Sequence, residues 1–104
     1  MKLTIKLENG SIKVVELNED LEFTVAKGEQ YVFSNGFTNY VLNFKDDQES
    51  IVLVFNIDGK SVQVVLNGIV PHLQDNVPGM DNPTAVIINK NADDEKLNDI
   101  VENA

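Results

Sequence analysis

The stretch from Ile51 to Leu66, IVLVFNIDGKSVQVVL, constrains the fold more than any other part of the chain. Two runs of aliphatic and β-branched residues flank Asp58-Gly59. This dipeptide is typical of a two-residue type I′ turn, in which both central residues need a positive φ. Counting outward from the turn places three apolar pairs on one face: Phe55 with Val62, Leu53 with Val64 and Ile51 with Leu66. We therefore predict a hairpin that buries this face and exposes a mixed one.

A second hairpin signal, Asn9-Gly10, lies between the alternating runs Lys2–Glu8 and Ser11–Leu17. Counting outward from a two-residue turn predicts these pairs: Leu7 with Ile12 and Ile5 with Val14 on one face, Lys6 with Lys13 on the other. Like charges opposed across a ladder are destabilising, so we expect the lysine face to be exposed.

Further short strands are predicted from alternation over Leu21–Ala26, Tyr31–Phe33 and Phe37–Phe44. Turn residues separate them at short, even intervals, which is typical of a sandwich or barrel. We predict an all-β domain: a small antiparallel β-sandwich or open barrel of about seven or eight strands built from hairpins, with a short C-terminal helix or tail.

The amino-acid composition of the sequence changes after Val70. We predict a β core over residues 1–70 and an exit segment over residues 71–104 that is rich in Pro, Asn and Asp. Within that segment, Thr84–Asn89 has the pattern of a possible last strand. Residues 91–104 suit a weak acidic helix with a thin apolar stripe. We expect the chain to lead on toward further domains.

Charge and composition exclude several classes of function. The net charge of −9 over 104 residues disfavours nucleic acid and anionic membranes as partners. No apolar run approaches the ~18 residues of a membrane span. The absence of cysteine excludes disulfides and thiolate chemistry. The first six residues alternate like a strand rather than like a signal peptide, so we expect a cytoplasmic protein or one exported without an N-terminal signal.

No motif in the sequence identifies catalysis or a cofactor. His72 is the single histidine, with Asp75 the one acid near it in sequence, and an exposed loop histidine is the simpler interpretation. Asp46-Asp47 and Asp93-Asp94-Glu95 are the candidate cation sites. Neither has EF-hand spacing, so Ca²⁺ has weak support and a solvated acidic surface is favoured.

Four aromatic residues cluster in sequence between positions 31 and 40. Alternation places at least half of them in the core. Those that are not in the core could form a ligand platform, and the candidates for it are Tyr31, Phe37 and Tyr40.

One part of the chain resembles a known family. The residues concerned are Gly28-Glu29-Gln30-Tyr31-Val32, Tyr40–Phe44, Ser50–Phe55 and Asp58–Val70. They resemble the N-terminal prefix domain of very large bacterial biofilm-associated adhesins secreted by type I systems. In that family a G-x-x-Y strand precedes an aliphatic strand and an x-D-G hairpin arm. Ile69-Val70 stands where the family has an aromatic pair, and no Ala-Ala-Gly protease site is present.

The resemblance implies a non-enzymatic anchoring or assembly module of a cell-surface adhesin, exported by a C-terminal signal and joined to downstream domains or protein partners. It carries over no functional residue. Two alternatives stay open from the residues themselves. One is a small ligand-binding sandwich for carbohydrate, and the other is an intracellular protein-interaction domain that uses a free strand edge.

Overall fold

The computed structural model describes residues 1–89 and 99–101, the last three by their backbone alone. Nine strands and one helix lie in these residues. Their bounds are β1 (Lys2–Lys6), β2 (Ile12–Glu16), β3 (Leu21–Thr24), β4 (Gln30–Ser34), β5 (Asn39–Phe44), β6 (Ile51–Ile57), β7 (Lys60–Asn67), α1 (Ile69–Gln74), β8 (Ala85–Asn89) and β9 (Asp99–Val101).

The strands form two sheets that share one core, which confirms the predicted all-β sandwich. A five-stranded sheet has the order β2-β1-β4-β8-β9, and a four-stranded sheet has the order β3-β7-β6-β5. The sheets are mixed rather than purely antiparallel, because β3 pairs parallel with β7 and β4 pairs parallel with β8. Parallel neighbours need a long crossover. The connection from β3 to β7 passes through β4 of the opposite sheet, and the connection from β4 to β8 passes through β5, β6 and β7 of the opposite sheet.

The central hairpin, β6–β7, has the predicted turn and register. Asp58 and Gly59 have φ values of 53° and 80°, as a type I′ turn requires. Phe55 lies opposite Val62, and the other two predicted pairs are also present. All six side chains of the inner face are at most 1% exposed. The turn therefore sets the register, and the register buries one whole face.

The register predicted for the first hairpin, β1–β2, is wrong by one residue. Lys6 lies opposite Ile12 and Ile5 opposite Lys13. The loop has three residues, because the Leu7 N–H donates to the Ser11 carbonyl (2.8 Å) and the Gly10 N–H donates to the Leu7 carbonyl (2.9 Å). This is a type I turn closed by a glycine bulge, with φ 92° at Gly10.

The shift by one residue changes which face of β2 carries its apolar side chains. Ile12 and Val14, expected in the core, are 62% and 58% exposed on the outer face. A one-residue change in register moves every side chain of a strand to the other face, so Lys13 takes the inward position.

The core lies between the two sheets and is centred on Phe55. Its ring centroid lies 4.9 Å from that of Phe33 and 5.3 Å from that of Phe37. The other large, fully buried side chains come from both sheets, from α1 and from Leu17 just after β2: Leu3, Leu17, Ile51, Leu53, Leu66, Ile69, Ile88, Val62, Val64 and Val86.

Residues 71–89, predicted to begin the exit segment, contribute most of α1 and the whole of β8 to the body. Pro71 is the third residue of α1, in the first turn where a missing N–H costs little, and Leu73 is buried. The possible last strand is present as β8. It lies inside the five-stranded sheet, paired with β4 and β9, and its first four residues are buried. A boundary after Val70 stays a prediction.

The helix predicted over residues 91–104 lies mostly outside the described residues. Within that range, Asp99–Val101 form β9 and not a helix. This strand pairs antiparallel with β8, with Ile100 opposite Ile87.

Candidate functional site

The three candidate platform residues do not form an exposed aromatic surface. Tyr31 is 2% exposed and Phe37 is 6% exposed, so the platform prediction is wrong for both. Tyr31 shares the inward face of β4 with Phe33, and Phe37 packs edge-on against Phe55. Tyr40 is half-buried and also contacts Phe55, at 6.0 Å between ring centroids. The aromatic cluster in the sequence is a core cluster.

Tyr31 is a buried phenol with a charged acceptor. Its hydroxyl donates to Glu29 Oε1 at 2.9 Å, and the Ala26 N–H donates to the same oxygen at 2.9 Å. Burial raises the pKa of Tyr31 far above its usual value, and the hydrogen bond to Glu29 and the charge of that carboxylate act in the same direction. Tyr31 therefore stays neutral and holds the Lys27-Gly28 turn in place.

Gly28, the first residue of the G-x-x-Y motif, ties this turn to β8. It has φ 84°, and its N–H donates to the buried Thr84 Oγ1 at 2.8 Å. A Cβ at Gly28 would lie 3.0 Å from the side chain of Glu8. Thr84 is held in turn by Asn76, whose side chain accepts from its N–H and donates to its carbonyl. The motif has a structural role here.

His72 lies on α1, not in a loop as the sequence suggested, and it is half-buried in the last turn of that helix. Asp75 is the residue that ends α1, and its backbone N–H donates to the Pro71 carbonyl at 3.1 Å. His72 and the acid nearest to it in sequence therefore lie in the helix and at its C-terminal cap, respectively.

The acidic candidates act in turns where they are described. Asp47 Oδ1 accepts the Glu49 N–H at 2.8 Å, and Asp47 Oδ2 accepts the Ser50 hydroxyl at 3.4 Å. Asp93-Asp94-Glu95 lies outside the described residues. Among residues 1–89 and 99–101 there is no group of three His, Cys, Asp or Glu side chains placed to hold a metal ion.

A cleft of about 480 Å³ lies where β5, the loop after it and α1 meet. Phe44, which is 44% exposed, forms part of its wall. The remaining lining residues are Lys45, Asp46, Gln48, Val70 and Gln74. An aromatic ring beside several amide and charged groups is suited to a small polar ligand. Phe44 lies on the inward face of β5, opposite the buried Ile51, and the charged loop that follows it in sequence is the signal that the strand leaves the core there.

Exposed apolar side chains are concentrated on two edge strands. In the described part of the chain, five large apolar side chains are exposed, and four of them belong to β2 or β5: Ile12, Val14, Val41 and Phe44. Each of these strands ends its sheet, β2 in the five-stranded sheet and β5 in the four-stranded one. An edge strand offers unpaired backbone groups to another chain, so these edges are the candidate interaction site.

No helix among the described residues has both the length and the apolar character needed to cross a membrane. Comparison with known proteins finds no matching family model, no matching curated protein and no matching solved structure.

Proposed function

We propose that the chain is a non-enzymatic anchoring and assembly module at the N-terminus of a large secreted bacterial surface adhesin, where it serves biofilm formation and retention at the cell surface. The observation that carries the proposal is the concentration of exposed apolar side chains on β2 and β5. Exposed strand edges contact other protein chains by strand addition, which is a mode of assembly rather than of catalysis.

The residues that resemble the adhesin prefix domain support the proposal. They lie in β4, β5, the central hairpin and the start of α1, and the central hairpin supplies six buried residues of the core. A surface location after export without an N-terminal signal peptide belongs to the same proposal, as do protein partners or downstream domains. The net charge of −9 favours solubility outside the cell. The proposal assigns no catalytic residue and no cofactor.

The first test is the coding sequence downstream of Ala104. Tandem immunoglobulin-like repeats would support the proposal, and a stop codon there would contradict it.

The second test uses the parent adhesin. Cells carrying the intact protein are compared with cells in which residues 1–104 are deleted and with the double variant Val41→Lys/Phe44→Lys. We expect both changes to move adhesin from the cell surface into the medium, measured by surface labelling and by immunoblot of the medium. We also expect both changes to reduce biofilm mass. Val77→Lys is the matched control, because Val77 is 59% exposed but lies on no strand. Unchanged retention in the deletion strain would contradict the proposal.

The Phe44 cleft favours a second candidate function, the binding of a small carbohydrate. A sugar ring can stack on Phe44 while Gln48 and Gln74 donate hydrogen bonds. In this case a glycan array identifies a ligand, and both Phe44→Ala and Gln74→Ala reduce its affinity in titrations. Gln74 lies on α1 and not on β5, so a loss in Gln74→Ala separates binding in the cleft from contacts along the strand.

A further inference from the structure

The edge strand β5 lacks the features that usually prevent a sheet edge from pairing with another chain. Its sequence, NYVLNF, contains no charged residue and no proline, and Val41 is 55% exposed. A six-residue strand of high β-propensity without charge is a typical site of strand addition. The other apolar edge, β2, carries Lys13 on its inward face, and an inward charge is a common means of blocking such pairing.

Backbone hydrogen bonding determines which residues of β5 face the open edge. Lys45 aligns with Ser50, and the Lys45 N–H donates to the Ser50 carbonyl at 2.9 Å. Hydrogen-bonded pairs alternate along an antiparallel ladder, so the odd-numbered residues of β5 bond to β6. The N–H and C=O groups of Leu42 and Phe44 therefore point away from the sheet, toward a possible partner strand.

We propose that β5 pairs antiparallel with β5 of a second copy of this chain, around a two-fold axis at Leu42. In this register the outward backbone groups of Leu42 meet those of its own equivalent, as a hydrogen-bonded pair requires. Tyr40 lies opposite Phe44 of the other copy, twice by symmetry, and Val41 lies opposite Asn43. The strand is self-complementary, and the two four-stranded sheets become one sheet of eight strands.

The uncharged sequence of β5 allows a second copy to pair there despite the net charge of −9, because no like charges oppose each other along the strands. No charged residue of β5 meets another in the proposed register. The nearest acidic group along the chain, Asp46, is four residues from the axis. The two Asp46 residues are therefore eight residues apart along the strands, or about 27 Å at ~3.4 Å per residue. That distance exceeds the Debye length of about 8–10 Å, so the repulsion between the loops is screened.

The first experiment measures mass against concentration by sedimentation on the full chain. We expect a weak dimer, populated between micromolar and millimolar protein, because one strand pair buries little area. Phe44→Lys should abolish it by placing a charge beside Tyr40 of the partner. Ile12→Lys is the matched control: it adds the same charge at an exposed apolar position on the other edge, and the dimer should persist.

A wild-type chain that stays monomeric at millimolar concentration overturns the proposal. So does a dimer that Ile12→Lys dissociates and Phe44→Lys does not, since that result assigns the interface to β2. Circular dichroism establishes that each variant is folded. Val41→Lys, on the outer face of β5, is a second variant in case Phe44→Lys fails to fold.

The second experiment tests the register by disulfide cross-linking. The chain has no cysteine, so each single-cysteine variant carries one thiol and any cross-link must join the two introduced cysteines. In the proposed dimer the two Leu42 Cα atoms lie about 5.5 Å apart, within the range that a disulfide can bridge. Under oxidation, Leu42→Cys should therefore form a covalent dimer. Phe44→Cys should not, since its two copies are about 14 Å apart. Equal cross-linking at both positions, or cross-linking in Val14→Cys on β2 alone, contradicts the register. The inference does not depend on the proposed function.

Discussion

The first and central hairpins have the same kind of turn sequence but different relations to the core. Both carry Asn or Asp before Gly between alternating strands. The central hairpin turns in two residues, and all three inner residues of each of its strands are buried. The first hairpin turns in three residues, and its second strand has no fully buried residue. A turn dipeptide therefore predicts that a hairpin forms, whereas the loop length decides which side chains it buries.

The position of each strand in its sheet accounts for the difference. In the central hairpin both strands have neighbours on each side, so a wrong register would place polar groups in the core. In the first hairpin β2 is an edge strand, and its outer face has water beside it. Ile12 and Val14, exposed on that face, lose only the free energy that their burial would have contributed, and no polar group is forced into the core.

The largest expected effect comes from removing β8, on which the sheet of the first hairpin depends. A chain that ends at Pro83 loses the strand beside β4, including the buried residues Val86 and Ile88. We expect this truncation to abolish the cooperative thermal unfolding transition. A truncated chain that still melts cooperatively would show that residues 1–83 fold without β8 and that β8 is not an integral strand.

The second-largest expected effect tests which face of the central hairpin is buried. Phe55→Ala should lower the free energy of unfolding by about 3–5 kcal/mol, because it leaves a cavity among the rings that surround Phe55. Val54→Ala, on the half-exposed outer face of the same strand, should cost about 1 kcal/mol. Urea denaturation measures both. Equal losses would mean that the hairpin does not bury one face selectively.

A smaller effect tests how β4 supports the first hairpin. Tyr31 of β4 lies opposite Ile5 of β1, and its phenol donates to Glu29. Tyr31→Phe should cost about 1 kcal/mol near neutral pH, the net value of a hydrogen bond.

The same substitution predicts a change in pH dependence. The pKa of Tyr31 is raised in the folded state, so the folded chain keeps a proton that the unfolded chain releases above pH ~10. The contribution of this group to stability is therefore fully present below pH 10 and is lost as the pH rises further. The stability difference between wild type and Tyr31→Phe should shrink from pH 9 to pH 11. A constant difference would contradict the buried, neutral phenol.

The fold could be predicted where turn chemistry and alternation act together, as in the central hairpin. It could not be predicted where several local solutions have similar energies. Asn9-Gly10 suits a type I′ turn, but the type I turn with Gly10 in the bulge is also accessible. The sequence also has no local signal that β8 pairs parallel with β4, because the partners are 55 residues apart. The sequence does not predict the short helix α1, because a proline usually indicates the end of a regular element. Pro71 lies in the first turn of α1, where proline is tolerated.

The candidate site was harder to predict than the fold, for a related reason. Alternation assigns a side chain to a face but does not show where the opposite sheet ends. Tyr31 and Phe44 both lie on inward faces, yet the first is covered and the second is 44% exposed at the end of an edge strand. Exposure at strand ends and sheet edges depends on strand order, which is a property of the whole fold.

The smallest expected effect gives the sharpest test of the difference between the two hairpins, and it comes from deleting Glu8. In the observed loop, Leu7 and Ser11 are the closing pair and Glu8-Asn9-Gly10 connect them. Without Glu8 the connection becomes Asn9-Gly10, which is itself a favoured two-residue type I′ turn, and the register of β1 with β2 is unchanged. We therefore expect the deletion to alter the free energy of unfolding by less than about 1 kcal/mol.

Val14→Ala should also be nearly neutral in the wild-type chain and in the chain that lacks Glu8, because Val14 is exposed in each. If the native loop were Asn9-Gly10 alone, with Glu8 opposite Ser11, the deletion would move β2 by one residue and exchange its faces. A loss of several kcal/mol in either experiment would therefore show that the first hairpin, like the central one, buries the face that its turn dipeptide predicts.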